Sequence, residues 1–171
     1  RHTGELARGL GMDVICYDLY PNQEWAASIG ARYVPLQEII TGADFISIHV
    51  PLTDDTYHLI SREELDQMKS SAVIINTARG GIVDEQALSQ ALQEGKIAGA
   101  GLDVFESEPL TDSKLLELDN VVLTSHIGAH TRESVENMGR WAAANLLQIL
   151  RGETPEFAVN QLTDGGDGNA S

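Results

Sequence analysis

The stretch Ala72–Asp84, AVIINTARGGIVD, restricts the possible folds more than any other. Its opening run, Ala72-Val73-Ile74-Ile75, is too short and too β-branched for a helix. It does not alternate with polar residues either, so it reads as a strand buried on both faces, the habit of a central parallel strand. The run stops at Asn76-Thr77-Ala78-Arg79-Gly80-Gly81, and a helix begins near Asp84. In an open parallel sheet, ligands bind outside the carboxyl ends of the strands. Arg79 stands at such an end, beside two glycines that would let a ligand approach the backbone. Its guanidinium offers a planar fork to a carboxylate or phosphate. The alternative is an arginine that merely pairs with a surface acid.

The rest of the chain repeats the strand–helix alternation. Residues 2–10 read as a helix, with Leu6 and Leu10 on one side and Gly11 after it. Asp13–Asp18 is a strand ending on an acid, followed by a turn at Pro21-Asn22. Glu24–Ile29 is a helix stopped by Gly30, and Arg32–Val34 is a brief strand. Leu36–Ile40 is a helix entered through Pro35. Phe45–Val50 is a buried strand ended by Pro51. Ser61 and Glu64 have capping-box spacing, opening a helix that runs through Met68. Beyond the anchor strand come a helix from Asp84 to Glu94, a strand Ile97–Val104, a helical turn Leu115–Leu118 and a last strand Val121–Thr124. Thr131 caps a long helix with Val135, Met138, Ala142, Leu146 and Ile149 on one stripe, closed by Gly152.

Six such alternations imply right-handed βαβ units and a doubly wound parallel sheet covered on both faces, an α/β fold of Rossmann type. Such a domain should open with a strand and a glycine-rich turn, whereas this chain opens with a helix. Asp18 locates the missing part. An acid ending the second strand hydrogen-bonds a ribose about 20 residues after the glycine fingerprint, and counting back puts that fingerprint just before Arg1. Gly99-Ala100-Gly101 is no substitute, because no helix opens after it; its small residues suit close packing.

Composition narrows the partners. With 26 acidic against 11 basic residues, the chain carries a net charge of -15, which repels nucleic acid and anionic membranes. This acidity is either an ordinary solvated surface or an adaptation to high salt. No apolar run approaches the ~20 residues of a membrane span, and His2–Met12 lacks the apolar centre of a signal peptide. The single Cys16 falls within a strand pattern, so it reads as a small core residue, with the cytoplasm as the expected compartment.

Glu108 and His126 both follow predicted strands, on the rim of the sheet that carries Arg79. A histidine proton shuttle needs a positioned ring, and a carboxylate both orients it and favours its charged form. Gly128 leaves room beside His126. A lone histidine there would otherwise be a solvated loop residue; three chemically suited residues on successive strand ends argue for a site. His49 is a candidate for an adenine pocket, while His2, His58 and His130 read as surface or capping residues. No histidine or cysteine cluster in the sequence suggests a metal.

The segments VIINTARGGIVDEQAL, GAGLDVFESEPL and SHIGAHTRES closely resemble the D-isomer-specific 2-hydroxyacid dehydrogenases. The resemblance extends over roughly residues 1–160, through Phe157-Ala158-Val159-Asn160. It implies an oxidoreductase that moves a hydride between NAD and a D-2-hydroxy acid or its 2-keto partner, most like phosphoglycerate dehydrogenase or hydroxypyruvate/glyoxylate reductase. By the same resemblance, Arg79 binds the substrate carboxylate, His126 is the acid/base and Glu108, not Glu106, is its partner. Asp18 holds the adenosine ribose. Val50, Thr77, Ala78, Arg79, Asp103, His126 and Gly128 contact the cofactor, Asp103 near the nicotinamide carboxamide.

The expected organisation is an incomplete dinucleotide-binding domain over residues 1–160 and a disordered tail over 161–171. The substrate domain, first strand and glycine-rich loop are outside the chain, and the complete enzyme is expected to be a homodimer. Two rivals share the fold: an NAD-sensing transcriptional corepressor with the same triad, and formate dehydrogenase, which pairs the histidine with glutamine.

Overall fold

The computed structural model describes residues 1–156 and Ala158; the expected tail, and Phe157, Val159 and Asn160 of the closing motif, lie outside the described residues. The described residues form two compact units, Arg1–His126 and a second that begins at Ile127.

In the first unit the elements run α1 (His2–Gly9), β1 (Ile15–Cys16), α2 (Gln23–Ile29), β2 (Arg32–Tyr33), α3 (Leu36–Gly42), β3 (Phe45–Ile48), α4 (Arg62–Gln67), β4 (Val73–Asn76), α5 (Glu85–Gln93), β5 (Gly99–Leu102), a 3₁₀ turn (Lys114–Glu117) and β6 (Val121–Leu123). Every strand pair is parallel, as the alternation requires. The strands form two sheets, β1-β2 and β3-β4-β5-β6. In the doubly wound order one further strand lies between β1 and β3; here no ladder joins them.

The rows of the larger sheet are in register. Ile46, Ile74, Ala100 and Val121 form one row, and Ile48, Asn76, Leu102 and Leu123 close the carboxyl end. Ile46, Ile48 and Ile74 meet Ile40, Leu65, Leu88 and Leu92 from α3, α4 and α5 in one core. The opposite face departs from the expectation of a sheet buried on both sides. Phe45 is 59% exposed and Val122 70% exposed, and no residue of α1 is buried. α3, α4 and α5 cover one face, while on the other the edge-strand residues Phe45 and Val122 stay exposed and the central Val73 and Ile75 are half-buried.

Five strands are shorter than expected, Ile97–Val104 among them at Gly99–Leu102, because a strand extends only as far as its partner. Asp13–Asp18 reduces to Ile15–Cys16, paired on one side alone, and Cys16 is half-buried rather than a core residue. Phe45–Val50 ends at Ile48, level with the last β4 residue, Asn76.

Local signals fix the helix ends. Ser61 and Glu64 form the reciprocal capping box, and Asp84 caps α5 by accepting from Ala87 N. In the second unit, Thr131 accepts from Ser134 N and opens α6 (Arg132–Leu150). No described helix is long and apolar enough to cross a membrane.

Candidate active site

The carboxyl end of the larger sheet is built turn by turn. Asn76, 2% exposed, ends β4; its side chain accepts from Ala78 N at 3.0 Å and donates to Arg79 O at 2.9 Å. This self-contained turn delivers Thr77, Ala78 and Arg79 to the rim. His49, Val50, Pro51 and Leu52, beyond the end of β3, face them across an open cleft of ≈ 670 Å³. The Arg79 side chain is exposed, with Nη1 donating to Ala78 O at 2.6 Å.

Gly80 then meets the turn after β5. A Cβ at this position would lie 1.9 Å from the Phe105 carbonyl oxygen, so only glycine fits. Asp103, 5% exposed, accepts from Thr124 Oγ1, and its backbone N donates to Asn76 O at 3.0 Å. The ends of β4, β5 and β6 are thereby tied together.

Glu108 and His126 are brought into contact. His126 Nδ1 lies 2.8 Å from Glu108 Oε2, while Glu108 Oε1 accepts from Phe105 N at 3.1 Å. An ionised carboxylate only accepts, so Nδ1 carries the hydrogen and Nε2 is the nitrogen left for proton exchange. The bond to His126, then that from Phe105, holds the Glu108 carboxyl below the usual glutamate range. His126 occupies the left-handed backbone region at φ 55°, a conformation costly for most residues with a Cβ and often found at functional sites.

Asp18 stands two residues beyond β1, in the smaller sheet, exposed and accepting from Tyr20 N at 2.8 Å. Gly128 belongs to the second unit.

Two features escape a reading of the sequence. Asn76 carries a usable signal, an Asx residue opening a glycine-containing turn. The other has none: His58, expected as a surface or capping residue, is part-buried and reaches Glu106, 48 positions away, at 3.1 Å.

Residues 1–128 match the family model of the D-isomer specific 2-hydroxyacid dehydrogenase NAD binding domain. The chain belongs to this family. Among curated dehydrogenases, a glyoxylate reductase of Korarchaeum cryptofilum is 47% identical over 156 residues, covering 91% of this chain and 47% of the relative. A D-3-phosphoglycerate dehydrogenase of Methanocaldococcus jannaschii is 49% identical over 155 residues, covering 90% of this chain and 30% of the relative. Among solved structures, D-lactate dehydrogenase with NAD+ from Lactobacillus jensenii superposes with a TM-score of 0.84 at 30% identity, covering 94% of this chain and 52% of that one. This dehydrogenase domain thus spans about half the length, or less, of the curated relatives it matches.

The residues present suit part of an NAD site. An exposed carboxylate ends the second strand position of the fold, and the cleft between the ends of β3 and β4 is lined by Val50, Thr77, Ala78 and Arg79.

Proposed function

We propose that this chain is the NAD-binding part of an oxidoreductase acting on a D-2-hydroxy acid or its 2-keto partner. Glyoxylate, hydroxypyruvate and 3-phosphoglycerate are the favoured substrates. The observation that carries the reading is the Glu108–His126 bond of 2.8 Å at the carboxyl rim. Glutamate rather than glutamine beside the histidine argues against formate dehydrogenase.

Asp18 would hold the adenosine ribose. Val50, Thr77, Ala78, Asp103 and Gly128 would line the dinucleotide, Asp103 toward the carboxamide. When bound, NAD supplies or accepts the hydride. Arg79 takes the substrate carboxylate in its fork and polarises the neighbouring carbonyl. In reduction, His126 passes a proton from Nε2 to the carbonyl oxygen, giving the hydroxyl; in oxidation the same nitrogen takes it back. Glu108 holds the ring in the orientation and tautomer this requires.

The test follows NADH consumption by the dehydrogenase containing this domain, with glyoxylate or hydroxypyruvate, and NAD reduction with 3-phosphoglycerate. Glu108→Gln should lower the reduction rate at neutral pH about 100-fold, as expected for a disabled acid/base pair, with less loss toward acid pH. No turnover of any of the three substrates by the unmutated protein, or a pH profile untouched by Glu108→Gln, would sink the reading.

A further inference from the structure

Among the described residues, two non-glycine residues have left-handed backbones: His126 at φ 55° and His58 at φ 51°. Each is a histidine whose ring meets a glutamate of one short turn. His126 reaches Glu108 at 2.8 Å, and His58 Nε2 reaches Glu106 Oε1 at 3.1 Å.

His58 is anchored on every side. Its backbone N donates to Gly81 O at 2.7 Å, Ile60 N donates to Ile82 O at 3.1 Å, and Asp84 N donates to Ile60 O at 3.0 Å. Residues 58–60 therefore run alongside residues 81–84, just beyond Arg79. The Tyr57 ring stacks on the imidazole, centroids 3.9 Å apart. His58 Nδ1 faces Asp84 Oδ2 at 3.8 Å.

Glu106 is gripped from the other direction. Its Oε1 accepts from Glu85 N at 3.1 Å, and its own backbone N donates to Glu85 Oε1. Burial, and then the charges of Glu106 and Glu108, push the Glu85 carboxyl above its usual range against the bond from Glu106 N. Three carboxylates thus crowd one turn; the His58 ring meets Glu106 as the His126 ring meets Glu108. Two residues on, Glu108 depends on that turn for the Phe105 N–H that orients it.

Oxygen and nitrogen atoms of His58, Asp84 and Glu106 lie within 4.8 Å of one another, a spacing compatible with a metal ion. Their hydrogen bonding argues for a different role. The two ring nitrogens diverge toward separate carboxylates, while Asp84 Oδ1 and Glu106 Oε1 already serve Ala87 N and Glu85 N.

We propose that His58 is a positioning residue: through Glu106 it holds the Phe105–Glu108 turn so that Glu108 meets His126. This rests on Glu108 and His126 being the acid/base pair.

The test is site-resolved amide exchange on the 171-residue chain. His58→Asn tolerates the left-handed backbone, but its side chain is too short to reach Glu106. It should speed exchange at Phe105, Glu106 and Glu85 about tenfold, the signature of local opening. His58→Gln, with a longer N–H donor, should restore protection to within about threefold. Unchanged Phe105 exchange in His58→Asn would overturn the proposal, as would equal loosening in both variants.

In the active dehydrogenase, His58→Asn should lower kcat about tenfold while the KM for NAD moves less than about twofold, the mark of misplaced chemistry rather than lost binding. A fall in kcat without a change at Phe105 would also overturn it. The exchange readout needs no turnover, so an inactive parent protein would defeat the enzymatic assignment while leaving the positioning role to be judged on exchange.

Discussion

The β1–β2 sheet and the β3–β6 sheet have the same parallel design and comparable local sequence, yet they are unequal structures. DVICYD is as strand-like as FISIHV, but β1 pairs over two residues and β3 over four. Of the buried hydrophobic side chains among the described residues, Ala26 alone precedes Ile40; the others lie between Ile40 and Leu115. The helices repeat the contrast. α1 buries no residue, whereas α5 buries Ala87, Leu88, Ser89, Ala91 and Leu92. β3, like β1, is paired on one side alone, but its partner is a longer strand of a sheet covered by α3, α4 and α5; strand propensity is realised where such a partner and covering helices make use of it.

The sharpest way to break this comparison is a matched pair of leucines. Leu88 is fully buried in α5, and Leu6 is 71% exposed in α1. Leu88→Ala should cost about 2–5 kcal/mol, the range for a core leucine leaving a cavity. Leu6→Ala should stay within about 0.5 kcal/mol, as for other surface changes. Urea midpoints measure both; equal losses would mean that α1 is packed as firmly as α5.

A smaller effect separates the caps. Ser61→Ala removes the capping box of α4, and Asn22→Ala removes the bond to Trp25 N that starts α2. Each should cost about 1 kcal/mol of helix stability. The first should shift the global midpoint, whereas the second should appear only as faster exchange within α2. Acid should reproduce the first change. Burial raises the Glu64 carboxyl, yet the Ser61 hydroxyl and backbone bonds outweigh it and leave it below its ordinary 4.5. A depressed carboxyl stabilises the fold above the unfolded value. Its contribution should therefore fade as pH falls below about 4.5 in the parent and be smaller in Ser61→Ala, which keeps only the backbone bonds.

Salt should produce the smallest change. Raising the ionic strength from 0.1 M to 1 M shortens the Debye length from ~10 Å to ~3 Å, screening the repulsion of a chain with net charge -15. Tm should rise by a few degrees, roughly what 1 kcal/mol gives at this size. A flat response would mark the acidity as ordinary surface.

What was legible in the sequence was local or carried by the rim of the sheet. The Ser61–Glu64 box, the helix start near Asp84 and the stop at Asn76 each depend on about four consecutive residues, and all three stand in the structure. Glu108 and His126 meet because both follow strands of one parallel sheet. The His58–Glu106 contact joins distant turns whose approach depends on how residues 58–60 run beside residues 81–84. The face left uncovered at Phe45 and Val122 was illegible for a related reason: an apolar strand records that it can be buried, not which helices arrive to bury it.

The separate β1–β2 and β3–β6 sheets give the strong acidity a second consequence. A strand edge without a neighbour can template the addition of a strand from another molecule. Two copies of this chain approaching edge to edge must first overcome the mutual repulsion of their net charges of -15, a colloidal barrier that dilute buffer preserves. The salt that relaxes repulsion within each molecule therefore also lowers the barrier between molecules, so thermal stability and resistance to self-association move in opposite directions along the same titration.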